Sequence, residues 1–422
     1  MGSITVRPAG PLTGTVTVGG AKNSVLKLMA ASILAEGSYE LTNVPGIVDV
    51  ELMRELLDAL GVRSVRDARQ PRTLRLTSAP TVEPVAPTDL VRRMRASTAV
   101  LGPLLARCGR ARLSLPGGDD FGSRPIDLHM AGLEALGARF TVDEDHLDAV
   151  ADDGLRGADI ALEFPSVGAT ENIIMAATLA KGTTTLDNAA REPEIVDLCH
   201  FLVGMGAQIE GIGSPVVTVH GVPAGDLHGT RHRVVADRVE AATYLAAVGL
   251  AGGEITVRDA RAEHMEVVLR KLRAMGLSVE SVPGGLRAAG PDRVRSTDVA
   301  TLPYPGVATD YKPLITAMLS VADGVGIVTE NLFAGRFRYV DELIRMGADI
   351  RTDSHHAVVR GVPRLVGTSV AASDIRAGAA LVVAALAAEG ETSIDGVHHV
   401  DRGYEDLVGK LRTLGADIVR LD

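Results

Sequence analysis

Two textures of apolar pattern alternate along the chain. In the first, a helix-like segment ends in an apolar residue, Gly, two residues (three in the first copy) and another apolar residue, so that the Gly caps the helix and a strand comes next. It recurs as LGVRSV at Gly61, LGARF at Gly137, MGAQI at Gly206, MGLSV at Gly276, MGADI at Gly347 and LGADI at Gly415, with spacings of 76, 69, 70, 71 and 68. In the second, an Ala/Leu-rich helix ends at Gly and leads into a short β-branched strand. Its copies stand at Gly37, Gly109, Gly182, Gly253, Gly324 and Gly390, spaced 72, 73, 71, 71 and 66. Two independent markers at one period define a unit repeated six times. Each unit of about 70 residues carries two helices and several short strands, an α/β or α+β pattern. Six units grouped three and three predict two similar lobes with a cleft between them, the default place for a ligand. The boundary is expected near Arg231–Arg238, where one period ends and the next begins.

The loops after the second-signature strands narrow the chemistry. Arg124, Arg191, Arg336 and Arg402 fall at related loop positions in separate units. Their convergence would suit a multiply charged anion, because each phosphate oxygen is best met by a charge-assisted donor. A surface or interdomain ion pair is the alternative for any one of them. A net charge of −10 argues against general binding of nucleic acid or a membrane surface, so any anion must be held by a local cluster. Trp is absent and aromatics make up 3% of the 422 residues, which disfavours base-stacking platforms. Cys108 and Cys199 lack CxxC partners and read as structural thiols rather than a disulfide or zinc framework. No apolar run is long enough to span a bilayer, and MGSITVRPAG has no charged region followed by an apolar one. The expected location is therefore the cytoplasm.

Leu115–His129, LPGGDDFGSRPIDLH, concentrates the candidate chemistry. Gly117 and Gly118 are expected to take positive φ and let the backbone approach a ligand. Asp119 and Asp120 can trade protons, and Arg124 offers a fixed fork of donors. On composition alone a solvated turn is the competing reading.

GGAKNS (Gly19–Ser24), LVRRMRAS (Leu90–Ser97), the Leu115–His129 loop, FPSVGATEN (Phe164–Asn172), NAAREPEIVD (Asn188–Asp197) and ADRVEAATYL (Ala236–Leu245) together resemble the UDP-N-acetylglucosamine 1-carboxyvinyltransferase family. YPGVATD (Tyr304–Asp310), ENLFAGRF (Glu330–Phe337), SDIRAGAALV (Ser373–Val382) and HHVDRGYED (His398–Asp406) extend the resemblance over nearly the whole chain. It implies the two-lobed enolpyruvyl transferase fold, an inside-out α/β barrel with three βαβαββ repeats per lobe. The N-terminal strand then joins the C-terminal lobe, giving lobes at 22–235 and at 1–21 plus 236–422 with the active site in the cleft. The implied reaction is addition and elimination without metal or organic cofactor. The sugar 3′-hydroxyl adds to C2 of phosphoenolpyruvate as C3 takes a proton, and the intermediate expels phosphate.

The same resemblance assigns roles. Lys22 would neutralise charge at the enolpyruvyl phosphate, and Asn23 would bond the sugar. Arg95, Arg124 and Arg402 would clamp phosphate and carboxylate, with Arg376 nearby. Asp310 would accept the 3′-hydroxyl proton, although a lone Asp in ATDYK would also pass for a helix N-cap. Pro125, Ile126, Asp127, Leu128 and His129, with Ser166, Val167 and Gly168, resemble the segments that hold uridine and diphosphate. Leu332 would contact the sugar, and Arg336 would help draw the lobes together. Asp119 stands where most of the family has the Cys that acts as general acid and is alkylated by fosfomycin. The expectation is an active enzyme with intrinsic fosfomycin resistance, Asp120 being a bystander. Transfer needs Asp119 protonated, which burial or Asp120 favours and Arg124 opposes.

Two further departures bear on the acceptor. Ala334 and Gly335 replace the usual Glu and Asn or Ala, and Lys312 stands where Gln is more common; both are expected at the cleft rim beside the acceptor hydroxyl. Competing readings are a paralogue acting on another acceptor such as UMP, the shikimate-pathway enolpyruvyl transferase, and a non-catalytic nucleotide-sugar sensor.

Overall fold

A computed structural model describes residues 2–115, 117, 125–333 and 335–421. All twelve signature glycines have positive φ, from 69° to 149°, and all but Gly390, which follows the two-residue strand Ala388–Glu389, stand after a helix and at or before the start of the next strand. The missing Cβ lets the chain leave each helix through the left-handed region at no steric cost. Helices and strands consequently alternate from one end of the chain to the other.

Two compact units result. The first lies within Gly20–Val235; the second takes the residues up to Gly19 and those from Ala236 onward. The change of unit falls two residues before Lys22, because the Ala21 N–H donates to the Val235 carbonyl at 2.7 Å. In the second unit Ser3–Arg7 pairs antiparallel with Thr392–Asp395 and Asp417–Leu421, and Leu12–Thr17 runs parallel to Gly253–Arg258. Each unit has three principal sheets. Those of the first are built on Gly37–Thr42, Arg110–Ser114 and Thr183–Asp187, those of the second on Ser3–Arg7, Leu12–Thr17 and Val325–Thr329.

The sheets are buried on one face only. Leu74–Ser78 and His356–Arg360 alternate buried and exposed side chains residue by residue, as one-sided antiparallel sheets do. The helices beneath them are of two kinds. Those of the Ala/Leu-rich signature are buried nearly all round: Lys22–Ala31, Leu101–Cys108 and Val167–Ala177 in the first unit, Arg238–Ala251, Lys312–Leu319 and Ile375–Ala385 in the second. A helix that is apolar on every side has to be central. The three of the second unit pack on one another directly, and Leu101–Cys108 packs on Val167–Ala177 in the first. Each unit thus puts helices inside and sheets outside around its own core. No helix among the described residues is long and apolar enough to cross a membrane.

Central helices that start at one end bring their first turns together. Those turns cannot be apolar, since their leading N–H groups need acceptors. Asp237 accepts from Val239 and Glu240 N–H at 2.8 and 3.0 Å, and Asp374 from Arg376 and Ala377 N–H at 2.8 and 2.9 Å. Ser166 does the same for Ala169 at 3.3 Å. The polar residues of the sequence motifs are therefore those that begin central helices.

Candidate active site

In the first unit the helix Lys22–Ala31 opens with Lys22, whose Nζ lies 2.8 Å from Asp49 Oδ2, both side chains nearly buried. Asn23 is exposed beside it. Ser24 donates to Asp197 Oδ2 at 2.5 Å, and Asp197 also takes the Val235 N–H at 3.0 Å and His232 Nε2 at 2.7 Å, which fixes this turn. One turn on, Lys27 donates to the Asn23 carbonyl at 3.2 Å and to both carboxylate oxygens of buried Glu171 at 3.2 and 3.3 Å. Arg95 opens the 3₁₀ turn Arg95–Val100 that leads into Leu101–Cys108.

Pro125 and Ile126 lead into the helix Asp127–Ala135, whose first turn carries Asp127, Leu128 and His129. His129 is buried. Asn172 takes the Gly102 N–H on Oδ1 at 2.7 Å, so its Nδ2 is the donor that reaches His129 Nδ1 at 3.1 Å. His129 Nδ1 accepts, and the ring proton sits on Nε2. Burial, and then the cations of Arg95 and Lys27, push the His129 pKa down to about 4, so the imidazole is neutral. The ring lies over Gly168, where a Cβ would come within 2.8 Å of Nε2. Ser166, Val167 and Gly168 form the half-exposed start of the buried helix Val167–Ala177. A helix start with free N–H groups and a neutral imidazole N–H is a seat for anionic oxygen.

Gly117 corrects one expectation. Its φ lies outside the left-handed region. Glycine is needed there for closeness instead, since a Cβ would come within 1.7 Å of the Arg92 carbonyl oxygen. Gly118, Asp119, Asp120, Arg124 and Ala334 lie outside the described residues.

In the second unit several cations gather on one carboxylate. Asp310 lies in the turn Thr309–Tyr311 before Lys312–Leu319, and no side chain caps that helix, so the N-cap alternative does not hold. Arg336 Nη1 donates to Asp310 Oδ1 at 3.0 Å, and Arg376 Nε lies 3.5 Å from Oδ2. Burial alone would raise the Asp310 pKa, but Arg376, Arg336 and then Arg238 outweigh it and hold the carboxyl well below the usual range. Arg376 is itself buried, lies over the Tyr404 ring at 5.5 Å, and has no hydrogen-bond partner at Nη1. Leu332 and Arg402 are half-buried, Arg402 ending the short helix Val397–Asp401.

Sequence reasoning missed three contributors. Arg238, held between the rings of Tyr304 and Tyr311 at 5.3 and 5.8 Å, lay in the ADRVEAATYL motif without a role. Glu330 lay in ENLFAGRF in the same way. Lys312 was expected at the rim, yet it has no exposed side-chain surface at all. Its Nζ meets Glu330 Oε2 at 2.8 Å and donates to the Arg336 carbonyl, with the Phe337 ring 4.0 Å away. Burial pushes the Lys312 ammonium down to about 8 against the pull of Glu330. Burial raises Glu330 in turn, but Lys312 and two threonine hydroxyls outweigh it and keep the carboxyl low.

Over 411 residues, 97% of either chain, the sequence is 52% identical to the UDP-N-acetylglucosamine 1-carboxyvinyltransferase of Mycolicibacterium paratuberculosis. The family model for EPSP synthase (3-phosphoshikimate 1-carboxyvinyltransferase) matches residues 6–411. The chain belongs to this family of enolpyruvyl transferases. The UDP-N-acetylglucosamine 1-carboxyvinyltransferase of Granulibacter bethesdensis is 47% identical over the whole of both chains. Among solved enolpyruvyl transferases, NikO from Streptomyces tendae superposes with a TM-score of 0.89 at 25% identity, covering 100% of this chain and 99% of that one. EPSP synthase from Acinetobacter baumannii gives 0.76 at 17% identity over both full lengths, a likeness of fold alone.

Proposed function

We propose that this chain transfers the enolpyruvyl group of phosphoenolpyruvate to the 3′-hydroxyl of UDP-N-acetylglucosamine and releases phosphate, as a step in peptidoglycan precursor synthesis. The observation that carries this is 52% identity over 97% of the chain with relatives of that name. The family model bears the shikimate enzyme's name, but the likeness to that enzyme's solved structure is only 17% in sequence, so the nucleotide sugar is the better supported acceptor.

The chain's own groups fit the chemistry. The helix start at Ser166–Gly168 and the His129 Nε2–H supply donors for a diphosphate, with the Arg95 and Lys27 cations near enough to act on the same ring. Lys22, Arg95, Arg124 and Arg402 would neutralise the phosphate and carboxylate of phosphoenolpyruvate, with Asn23 on the sugar. Asp310, kept ionised by Arg336 and Arg376, accepts the 3′-hydroxyl hydrogen bond. A carboxylate so well stabilised is a weak base, so the proton moves as the C–O bond forms rather than beforehand. Asp119 would protonate C3.

Phosphate release from phosphoenolpyruvate, measured with UDP-N-acetylglucosamine, UMP and shikimate 3-phosphate in parallel, tests the reading. Release with the nucleotide sugar alone is expected. Release only with another acceptor overturns it, and tight nucleotide-sugar binding without any release points to a sensor. Asp119→Ala should lose about 10²- to 10⁴-fold in turnover, the range of a positioned general acid, and Asp120→Ala far less. Fosfomycin should leave activity intact, and inactivation stoichiometric with enzyme would contradict the role given to Asp119.

A further inference from the structure

Glu330 accepts five hydrogen bonds or ion contacts from described residues of the second unit. Its Oε1 takes the Thr301 hydroxyl at 2.7 Å and the N–H groups of Leu332 and Phe333 at 2.8 and 3.1 Å. Its Oε2 takes the Thr309 hydroxyl at 2.7 Å and Lys312 Nζ at 2.8 Å. Neither Lys312 nor Glu330 has exposed side-chain surface. The Lys312 ammonium is used as fully, on Glu330, on the Arg336 carbonyl and against the Phe337 ring. Thr309, having donated to Glu330, accepts from Arg336 Nη1 at 2.9 Å, the same nitrogen that bonds Asp310 at 3.0 Å.

A buried ion pair is weak support for stability, because desolvating two charges offsets most of their attraction. Two hydrophobic residues would fill the space as well. What they could not do is hold the backbone at Leu332 and Phe333, the Arg336 carbonyl and the Thr309 hydroxyl in one geometry. Each of those groups adjoins a residue assigned to the acceptor: Leu332, Arg336 or Asp310. We propose that Lys312 and Glu330 are positioning residues for the acceptor hydroxyl, aiming Arg336 at Asp310 and fixing the Leu332 backbone. They touch no reacting atom. The role rests on the proposed acceptor site, and it makes Lys312 a working part of that site rather than a residue of its rim.

The test uses the full-length enzyme and whichever of the three acceptors supports phosphate release. Lys312→Met and Glu330→Gln should each raise the acceptor KM and lower kcat by about tenfold, a small misplacement in a positioned site, while the KM for phosphoenolpyruvate stays within about twofold. Lys312→Gln keeps N–H donors for Glu330 and the Arg336 carbonyl, and should recover to within about threefold of wild type. If Lys312→Met does not fold, Glu330→Gln and Lys312→Gln carry the comparison. Amide exchange at Leu332 and Phe333, measured without substrate, should quicken in Glu330→Gln. Unchanged exchange there, or equal rises in KM for both substrates, overturns the proposal. Wild-type turnover with an acceptor other than the nucleotide sugar overturns the proposed function and leaves this test in force.

Discussion

Glu171, in the second turn of a central helix of the first unit, and Asp310, in the turn that leads into a central helix of the second, are both carboxylates, and they hold charge in opposite ways. Burial raises Glu171 to about 7, with Lys27 pulling it down and Glu192 and Glu194 pushing it further up. Asp310 feels burial too, yet two guanidiniums at 3.0 and 3.5 Å, and Arg238 beyond them, keep it ionised. One ammonium does not outweigh desolvation where other carboxylates adjoin; several guanidiniums do. The same helical architecture thus makes a near-neutral seat in one unit and a closed ion network in the other. The first suits holding a ligand through N–H groups, the second suits keeping a base charged.

The sharpest way to break this contrast is Asp310→Asn. Turnover should fall by about 10²- to 10⁴-fold, as for loss of a positioned base, with a far smaller change in acceptor KM. Steady-state phosphate release decides; a change confined to KM would make Asp310 a binding group like those of the first unit. Gly168→Ala should do the reverse. Its Cβ meets the His129 ring at 2.8 Å, and the Asn172 bond holds that ring in place, so the seat is overpacked by about 1–3 kcal/mol. That corresponds to a rise in acceptor KM of about 5- to 150-fold, with kcat nearly unchanged.

The smallest effect is in stability against pH. His129 has its pKa lowered from 6.5 to about 4, with Arg95, Lys27 and Asp127 facing it. The unfolded chain binds the extra proton in that window, so this term loses stability as pH falls from 6.5 to 4. Glu171 is raised from 4.5 to about 7, so the folded chain binds the extra proton and this term loses stability as pH rises through that window. Each amounts to ~3 kcal/mol, and between pH 4.5 and 6.5 they offset. Urea unfolding across pH should show His129→Gln gaining stability relative to wild type on acidification from pH 7 to 4.5. Glu171→Gln should lose it from pH 6.5 to 4. Parallel curves for both variants would show that the seat is not held near neutrality as described.

Much of the fold was legible because it is written locally. A helix that ends in Gly with a strand to come needs only that one residue take positive φ, and all twelve signature glycines do. The site was legible as motifs but not as partners. Lys312 looked like a rim residue because it departs from the usual Gln beside the acceptor hydroxyl, whereas Glu330, eighteen positions on, is what allows a Lys inside. Gly117 was right as a glycine and wrong as to reason, since the constraint comes from the Arg92 carbonyl and not from its own φ. Arg238 lay inside a recognised motif, but nothing in that stretch said which groups it would meet.

The sequence by itself determined the six-fold period, the alternation of elements and the family, all of which depend on residue type and short spacing. Tertiary structure decided which charges meet. Arg238, Asp310, Arg336 and Arg376 come from four stretches of chain, and only the packing of central helices with their starts together brings them to one carboxylate. Burial then settles each charge. It costs any ion that lacks a close counter-ion, and the position of that counter-ion is a property of the packed helices rather than of any stretch of sequence.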